Sequence, residues 1–123
     1  MFLVNIFRAN IKPGDLGAVT SMEFEILLSL AGGERHGYAI IQEIGERSGG
    51  TATVRPGTLY RAIARLLDAK LIEEVAARAG EEDERRRYYR ITRLGRQLAA
   101  VESERLARQV ETARARRLLK TRA

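Results

Sequence analysis

The spacing of apolar residues changes twice along this chain, and the order of those changes constrains the fold more than any single motif. Within residues 20–70, apolar residues recur at helical spacing in three stretches. The segments 71–75 and 87–92 are short and rich in β-branched and aromatic residues, which is typical of strands. Over residues 93–119 the spacing is helical again. The order predicts a mainly α-helical domain with one small β-hairpin, followed by a long C-terminal helix.

The first two predicted helices have clear boundaries. Thr20 and Glu23 have the spacing of a capping box, which predicts that the first helix begins there. Gly32-Gly33 ends it, and the second helix covers about residues 36–47. Both helices are expected to bury one face in a shared core. The residues predicted on these faces are Phe24, Leu27, Leu28 and Ala31, then Ile40, Ile41 and Ile44.

The third predicted helix has two chemically different faces. It begins at Pro56, because proline fits the first helical position, where a backbone N–H has no partner within the helix. Its apolar face consists of Leu59, Ile63, Leu66 and Leu67. Its opposite face consists of Thr58, Arg61, Arg65 and Asp68. One side is therefore suited to packing, and the other is polar and mostly cationic.

The apolar residues of the C-terminal helix fall into two groups that are offset by one residue. The offset argues against a single continuous coiled-coil seam. The first group, Leu94-Leu98-Val101, is expected to pack mainly on its own domain, and the second, Leu106-Val110-Ala113, on a second copy of the chain. The candidate dimerisation residues are Leu98, Val101, Leu106, Val110 and Ala113.

Residue types that many enzymes and metal sites need are missing or isolated. The chain has no cysteine and one histidine, His36, which excludes disulfides, thiolate metal sites and multi-histidine sites within one chain. No serine has a neighbouring histidine, and the glycine pairs are too short for a phosphate-cradling loop. We therefore expect no enzyme activity, metal or cofactor. Without a bilayer-length apolar run or a recognisable signal peptide, the expected location is cytoplasmic, with no membrane contact.

Positive charge is unevenly distributed along the chain. The net charge is +6 at pH 7, and residues 93–123 carry nine basic and three acidic side chains, so residues 1–92 are balanced. Within the balanced part, residues 47–70 carry five basic side chains and a single acidic one, Asp68. Such a patch can neutralise the phosphates of nucleic acid. A solvated basic surface is the commoner origin of a charge run, so charge alone leaves both interpretations open.

The predicted order of elements is that of a winged helix-turn-helix, whose third helix enters the major groove of DNA. Three motifs add to this order: His36-Gly37-Tyr38, then Pro56-Gly57-Thr58-Leu59-Tyr60, then Arg87-Tyr88-Tyr89-Arg90-Ile91-Thr92 with Gly95. Over roughly residues 20–119 the chain thereby resembles the PadR family of bacterial transcriptional regulators. The resemblance implies a homodimeric repressor and, as in the shorter branch of that family, a single C-terminal dimerisation helix.

The resemblance and the cationic helix face together select candidate DNA-binding residues. Arginines on the third helix can pair with guanine edges, and Thr58 can bond to phosphate or base. Arg55 and Arg61 depart from the family pattern, which usually has a small residue and a proline there, and both add positive charge. The full set is His36, Tyr38, Arg55, Gly57, Thr58, Tyr60, Arg61, Arg65, Arg85 and Arg86.

Some of these residues have a second interpretation. The hydroxyls of Tyr38 and Tyr60 can bond to phosphate, or the two side chains can simply lie at the edge of the core. In the hairpin, acidic residues 81–84 precede Arg85 and Arg86. The two arginines are expected to contact DNA from the base of the wing, unless the acidic and basic clusters only neutralise each other.

The predicted organisation has three parts: an N-terminal extension (1–19), a winged helix-turn-helix DNA-binding domain (20–92) and a C-terminal dimerisation helix with a basic tail (93–123). The leading function is a sequence-specific transcriptional regulator, a repressor that binds an inverted-repeat operator in double-stranded DNA as a homodimer. The alternatives are a non-catalytic interaction protein with an acidic partner and a non-specific nucleic-acid binder. A small-molecule effector of unknown identity stays open, with a pocket expected between Phe24, Tyr38 and residues 98–101.

Overall fold

The computed structural model describes residues 19–51, 53–76 and 86–120. In these ranges the chain forms helices α1 (Ser21–Ala31), α2 (Gly37–Arg47), α3 (Pro56–Asp68) and α4 (Arg93–Ala115), and strands β1 (Arg35–His36), β2 (Ile72–Val75) and β3 (Tyr88–Ile91). The predicted order of three helices, a β-hairpin and a long helix is confirmed. Residues 1–18, nearly all of the predicted N-terminal extension, lie outside the described residues. No described helix is long and apolar enough to cross a membrane.

Local signals explain where the first three helices begin. The predicted capping box is present: the Thr20 hydroxyl accepts from the Glu23 N–H at 3.0 Å, and Glu23 Oε1 accepts from the Thr20 N–H at 2.9 Å. His36 caps α2, because its Nδ1 accepts from the Ala39 N–H at 3.2 Å. α3 has no side-chain cap and begins at Pro56, as predicted. Each start follows from residues close in sequence, which is why these boundaries are predictable.

The sheet has the strand order β1-β3-β2, with both pairings antiparallel. Tyr89 and Ile91 are buried on one face of the central strand β3, as their alternation predicts. The sequence does not predict β1, because two residues are too few to show an alternation. In β1, Arg35 lies opposite Tyr89 and His36 lies opposite Tyr88. The N-terminus of α2 is therefore attached directly to the hairpin.

α1 is the central helix and contacts α2, α3, α4 and β3. Its deepest side chains are Ile26, Leu27 and Leu30, each at most 1% exposed. The predicted stripe is wrong at Ala31, which is exposed, and Leu28 is only partly buried. Because neighbours surround α1 on several sides, one narrow stripe does not describe its buried surface. The remainder of the core includes Ile40, Ile44, Leu59, Ile63, Leu66, Ile72, Ile91 and Leu98.

Hydrogen bonds of Thr92 connect the first turn of α4 to the base of the hairpin. The Thr92 hydroxyl accepts from the Gly95 N–H at 3.0 Å and donates to the Lys70 carbonyl at 2.8 Å. Glycine is needed at position 95, because an added Cβ would lie 2.9 Å from Ile91 Cγ1 and 3.1 Å from the carbonyl carbon of Leu71. This close approach sets the direction in which α4 leaves the sheet.

Candidate nucleic-acid interface

α3 presents a continuous outward face. Its inward side chains, Leu59, Ala62, Ile63 and Leu66, are buried. At about 100° per residue, Gly57, Arg61, Ala64 and Asp68 lie at the centre of the opposite face, and all four are exposed. The sequence pattern selected Gly57 and Arg61 but missed Ala64, because alanine carries no polar group. The helical spacing would have found it, and a methyl group at this position can contact a thymine methyl.

Two cations at the start of α3 have no acidic partner in the described ranges: Arg55 and Arg61. Arg55 occupies the N-cap position without making a side-chain cap hydrogen bond. The Arg61 guanidinium lies beside Gly57, since an added Cβ at Gly57 would be 3.5 Å from Arg61 Nη1. Backbone N–H groups at a helix start lack partners within the helix and favour anions. The N-terminal half of α3, together with its N-cap residue, therefore combines two available cations with an anion-favouring helix end.

Arg65 lies on the same helix in a different electrostatic setting. Its Nε donates to Glu23 Oε2 at 2.6 Å, and the Glu23 side chain is only 11% exposed. Since Glu23 also closes the capping box with Thr20, this pair joins the last turn of α3 to the first turn of α1. The Arg65 side chain is 55% exposed. The sequence does not indicate the ion pair between Arg65 and Glu23. A DNA contact by Arg65 stays a prediction.

The N-terminus of α2 and the base of the hairpin lie together. His36 Nε2 is 2.8 Å from Arg86 Nη1, and the His36 ring meets the Tyr88 ring edge-on with centroids 5.3 Å apart. Tyr38, two residues further along α2, is exposed. Arg85 and the acidic residues 81–84 lie outside the described residues. The structure thus brings His36 and Arg86 into contact, although the sequence selected them separately.

A cavity of about 140 Å³ lies where α2, α3 and the hairpin meet. Its lining consists of His36, Gly37, Tyr38, Tyr60, Arg86, Arg87 and Tyr89. This volume is well below the roughly 300–1,000 Å³ of typical small-molecule sites. Burial raises the pKa of Tyr89, with smaller contributions from Glu74 and then Tyr60, so the Tyr89 phenol stays protonated. The cavity is therefore a small polar recess with cationic side chains at its edge.

A larger cavity of about 350 Å³ lies between α1 and α4. Its apolar lining includes Phe24, Leu28 and Leu106, and its charged lining includes Glu102 and Arg105. Within the described residues, Phe24 and Tyr38 line different cavities, so the effector pocket expected between them is not formed there as one site. The physical reason is that Tyr38 lies at the start of α2 next to the hairpin, whereas Phe24 lies on the side of α1 that meets α4.

The candidate dimerisation residues divide between the two halves of α4. Leu98 is 4% exposed and belongs to the core of its own protomer, so its side chain is not available to a partner. Val101, Leu106 and Ala113 are partly buried, and Val110 is 43% exposed. The last buried residue of α4 is Glu102, which binds Arg105 through both carboxylate oxygens. Beyond that pair, the described residues leave α4 without a buried face.

Comparisons with known proteins agree on one family and one fold. The model of the transcriptional regulator PadR-like family matches residues 26–101. An uncharacterized protein of Lysinibacillus sphaericus is 33% identical over 89 residues, which are 72% of this chain and 75% of that one. A PadR family transcription regulator of Clostridium difficile is 21% identical, with a TM-score of 0.69 and coverage of 78% of this chain and 97% of that one. Bacillus subtilis PadR, solved in complex with operator DNA, is 24% identical with a TM-score of 0.56, covering 67% of this chain and 46% of that one. The fold is a winged helix-turn-helix followed by a long helix.

Proposed function

This chain belongs to the PadR-like family of transcriptional regulators, and on that premise we propose that it is a repressor that binds an inverted-repeat operator in double-stranded DNA as a homodimer. The observation that carries the proposal is the N-terminal half of α3 with its N-cap residue, where Arg61 and Arg55 have no acidic partner in the described ranges. The function involves no catalytic step. A repressor also needs access to the chromosome, which supports a cytoplasmic location.

Arg61 is the proposed base-reading residue. It lies at the centre of the outward face of α3, and a guanidinium can donate two hydrogen bonds to the major-groove edge of guanine. Thr58 lies about one helical turn before Arg61 and is exposed, so its hydroxyl can bond to phosphate or base. Arg55, ahead of the helix, is better placed for the phosphate backbone, together with the free N–H groups of the first turn. The N-terminal half of α3 therefore supplies both base and phosphate contacts.

The N-terminus of α2 and the wing supply the remaining contacts in this proposal. Arg86 at the base of the hairpin and Tyr38 on α2 are both exposed, and each can donate a hydrogen bond to a phosphate oxygen. His36 lies between them and contacts Arg86 at 2.8 Å. Arg85, which lies outside the described residues, stays a predicted DNA contact of the wing. Such contacts fix the orientation of the domain on the duplex and carry no sequence information directly.

The second half of α4 is the proposed dimer interface. Leu106, Val110 and Ala113 are spaced to share one face of the helix, and none is fully buried within the protomer. A second copy packed along this face would cover apolar surface that one chain leaves exposed. In this organisation residues 20–92 form the DNA-binding domain, residues 93–123 form the dimerisation helix and basic tail, and the first half of α4 joins the two.

The dimer predicts the geometry of the operator. A two-fold axis gives the two α3 helices opposite orientations, so the half-sites form an inverted repeat. Both helices approach the same side of the duplex only if the half-sites are about 10–10.5 base pairs apart, or a multiple of that spacing. Inserting five base pairs turns one half-site to the opposite side. Specific affinity should then fall almost to the non-specific level.

The deciding experiment compares two probes at several salt concentrations. The first is the duplex that the wild-type protein selects from a random pool, here called the selected duplex. The second is a shuffled duplex of the same length and base composition. Tighter binding to the selected duplex, retained at moderate salt, supports the proposal. Equal binding to both duplexes, with an equally steep loss in salt, would instead indicate a non-specific binder that acts through the exposed basic residues in the last turn of α4 and just after it, Arg114, Arg116, Arg117 and Lys120.

The dimer is tested separately by sedimentation. Leu106→Glu with Val110→Glu should give monomers, because two carboxylates cannot be buried in an apolar contact without a large cost. Arg108→Glu with Ala115→Glu, on the opposite face of the same helix, is the matched control and should stay dimeric. A dimer that survives the first pair of substitutions would place the interface elsewhere in the chain.

A further inference from the structure

Gly37 is the second residue of the His36-Gly37-Tyr38 motif, and its backbone does not require glycine. It begins α2 and its φ is not positive. Another residue at this position would nevertheless displace a neighbour, because an added Cβ would lie 2.7 Å from Tyr60 Cζ and closer still to the Tyr60 hydroxyl. The phenol end of Tyr60 occupies the space that a side chain at position 37 would fill. Glycine at position 37 therefore leaves room for a side chain from α3.

Tyr60 also faces the hairpin. Tyr60 and Tyr89 line the same small cavity, and Tyr60 contributes to raising the pKa of the Tyr89 phenol, which requires the two groups to be close. Tyr89 lies on β3 opposite Arg35 of β1. One ring thus touches the start of α2 and approaches the central strand of the sheet, while its own backbone belongs to the first half of α3.

We propose that Tyr60 is a positioning residue that holds the N-terminal half of α3 against the start of α2 and the base of the wing, so that the reading face of α3 has one orientation relative to the other DNA-contacting elements. The inference rests on the proposed DNA-binding function. It assigns a joint role to the motifs His36-Gly37-Tyr38 and Pro56-Gly57-Thr58-Leu59-Tyr60. Gly37 leaves an open space at the start of α2, here called the socket, and the ring of Tyr60 fills it.

A direct phosphate contact by the Tyr60 hydroxyl is the competing role, and it makes different demands. A phosphate contact needs the hydroxyl and is independent of base sequence, so its removal should weaken binding to the selected and shuffled duplexes alike. Positioning depends on the ring, because the ring aligns α3 for its base contacts. Removal of the ring should therefore lower the preference for the selected duplex. Tyr60→Phe, which keeps the ring and removes the hydroxyl, separates these roles.

The first test places a methyl group at position 37, in the space that the Tyr60 phenol occupies. Gly37→Ala should reduce the ratio of affinities for the selected and shuffled duplexes by about tenfold or more, the scale expected for one mismatched base pair. Gly45→Ala is a matched control in the same helix, because an added Cβ there has no neighbour within 4 Å. It should leave the affinity ratio unchanged and leave thermal stability equal or slightly higher. A wild-type affinity ratio in folded Gly37→Ala protein would overturn the proposal.

The second test removes the ring and keeps the protein measurable even if Gly37→Ala does not fold. Tyr60→Leu lacks the atoms that crowd position 37 and should lower the affinity ratio, while Tyr60→Phe should retain it. In the Tyr60→Leu background, Gly37→Ala should cause little further loss, since the clash is already gone. Equal losses in Tyr60→Phe and Tyr60→Leu, or an undiminished effect of Gly37→Ala in the leucine background, would overturn the proposal. If wild-type protein itself binds both duplexes equally, the proposed function fails as well, whereas failure of the variant pattern alone overturns only the role of Tyr60.

Discussion

Arginines perform different tasks in two regions of this molecule. At the start of α3, Arg55 and Arg61 have no acidic partner in the described ranges. Between α1 and α2, Arg35 and Arg47 are held by carboxylates at 2.7–3.1 Å. A cation already paired with a carboxylate contributes little net potential at a distance, whereas an unpaired one attracts phosphate fully. The distribution of acidic partners therefore separates the arginines at the start of α3 from those between α1 and α2, which a count of basic residues cannot do.

The paired region is a connected network that holds two helices together. Arg47 on α2 binds Glu25 Oε1 at 2.7 Å, the Glu25 carbonyl at 3.0 Å and the Ser29 hydroxyl at 3.2 Å, all on α1. It also binds Glu43, which in turn binds Arg35 at 3.0 Å. Arg35 donates to the Ser29 carbonyl at 2.9 Å. These arginines link α1, α2 and β1, which is a structural task.

The largest expected effect on DNA binding comes from the unpaired region. Arg61→Ala should cost about 1–3 kcal/mol in binding to the selected duplex and relax the preference at one base pair. The melting temperature should stay near the wild-type value, because no acidic side chain in the described ranges depends on Arg61. Titration of single-base variants of the selected duplex, with calorimetry of the free protein, measures both. Unchanged base preference would remove Arg61 from the reading surface.

Arg47→Ala tests the paired region and should show the opposite pattern. It removes five hydrogen bonds from a side chain that is one-third exposed, so we expect a loss of about 1–2 kcal/mol in the free energy of unfolding after allowance for solvent screening. The affinity ratio for selected and shuffled duplexes should not change under conditions where the variant is folded. A large fall in that ratio without a loss of stability would show that the two regions are not separate in function.

Much of the fold is predictable because its signals are local. The capping box at Thr20, the proline at the start of α3 and the alternation in β3 each depend on residues within a few positions of one another. The faces of α3 follow from helical spacing in the same way. The candidate surface was predictable to the extent that it consists of exposed residues on this one helix, including Arg61 and Thr58.

The remaining features depend on contacts between distant residues. Arg65 was assigned to the reading face, but its partner Glu23 is 42 positions away in the chain. The socket at Gly37 is explained only by the ring of Tyr60, and β1 exists only because β3 lies beside it. The spacing of residues along the sequence carries no information about such pairs. This is why the sequence selected arginines by position on the helix and could not separate paired from unpaired ones.

Arg65 lies on α3 like Arg61 but is paired with a carboxylate like Arg47. Its replacement should therefore have an effect between those of Arg61→Ala and Arg116→Gln with Arg117→Gln on DNA binding. If the ion pair with Glu23 is its main role, Arg65→Ala should lower the free energy of unfolding by less than about 1 kcal/mol, because the side chain is half exposed. Glu23→Gln keeps an oxygen for the Thr20 cap and is the matched variant, so both changes should have similar, small effects. If Arg65→Ala lowers the affinity ratio while Glu23→Gln does not, Arg65 belongs with Arg61 as a base-reading residue.

The smallest effect on specificity is expected just beyond the end of α4, where Arg116 and Arg117 have no acidic partner among the described residues and lie outside the reading surface. Arg116→Gln with Arg117→Gln removes two positive charges, and Arg55→Gln with Arg61→Gln removes the same number from the start of α3. General attraction depends on charge and not on base sequence, so each pair should reduce the salt dependence of binding by up to about 0.9 for each phosphate that is no longer neutralised. Only the second pair should reduce the ratio of affinities for the selected and shuffled duplexes. Filter-binding titrations over a series of salt concentrations give both quantities from one experiment. If the Arg116 and Arg117 pair lowers the affinity ratio as much as the Arg55 and Arg61 pair, the lack of an acidic partner alone determines which arginines act in recognition, and their position on α3 does not.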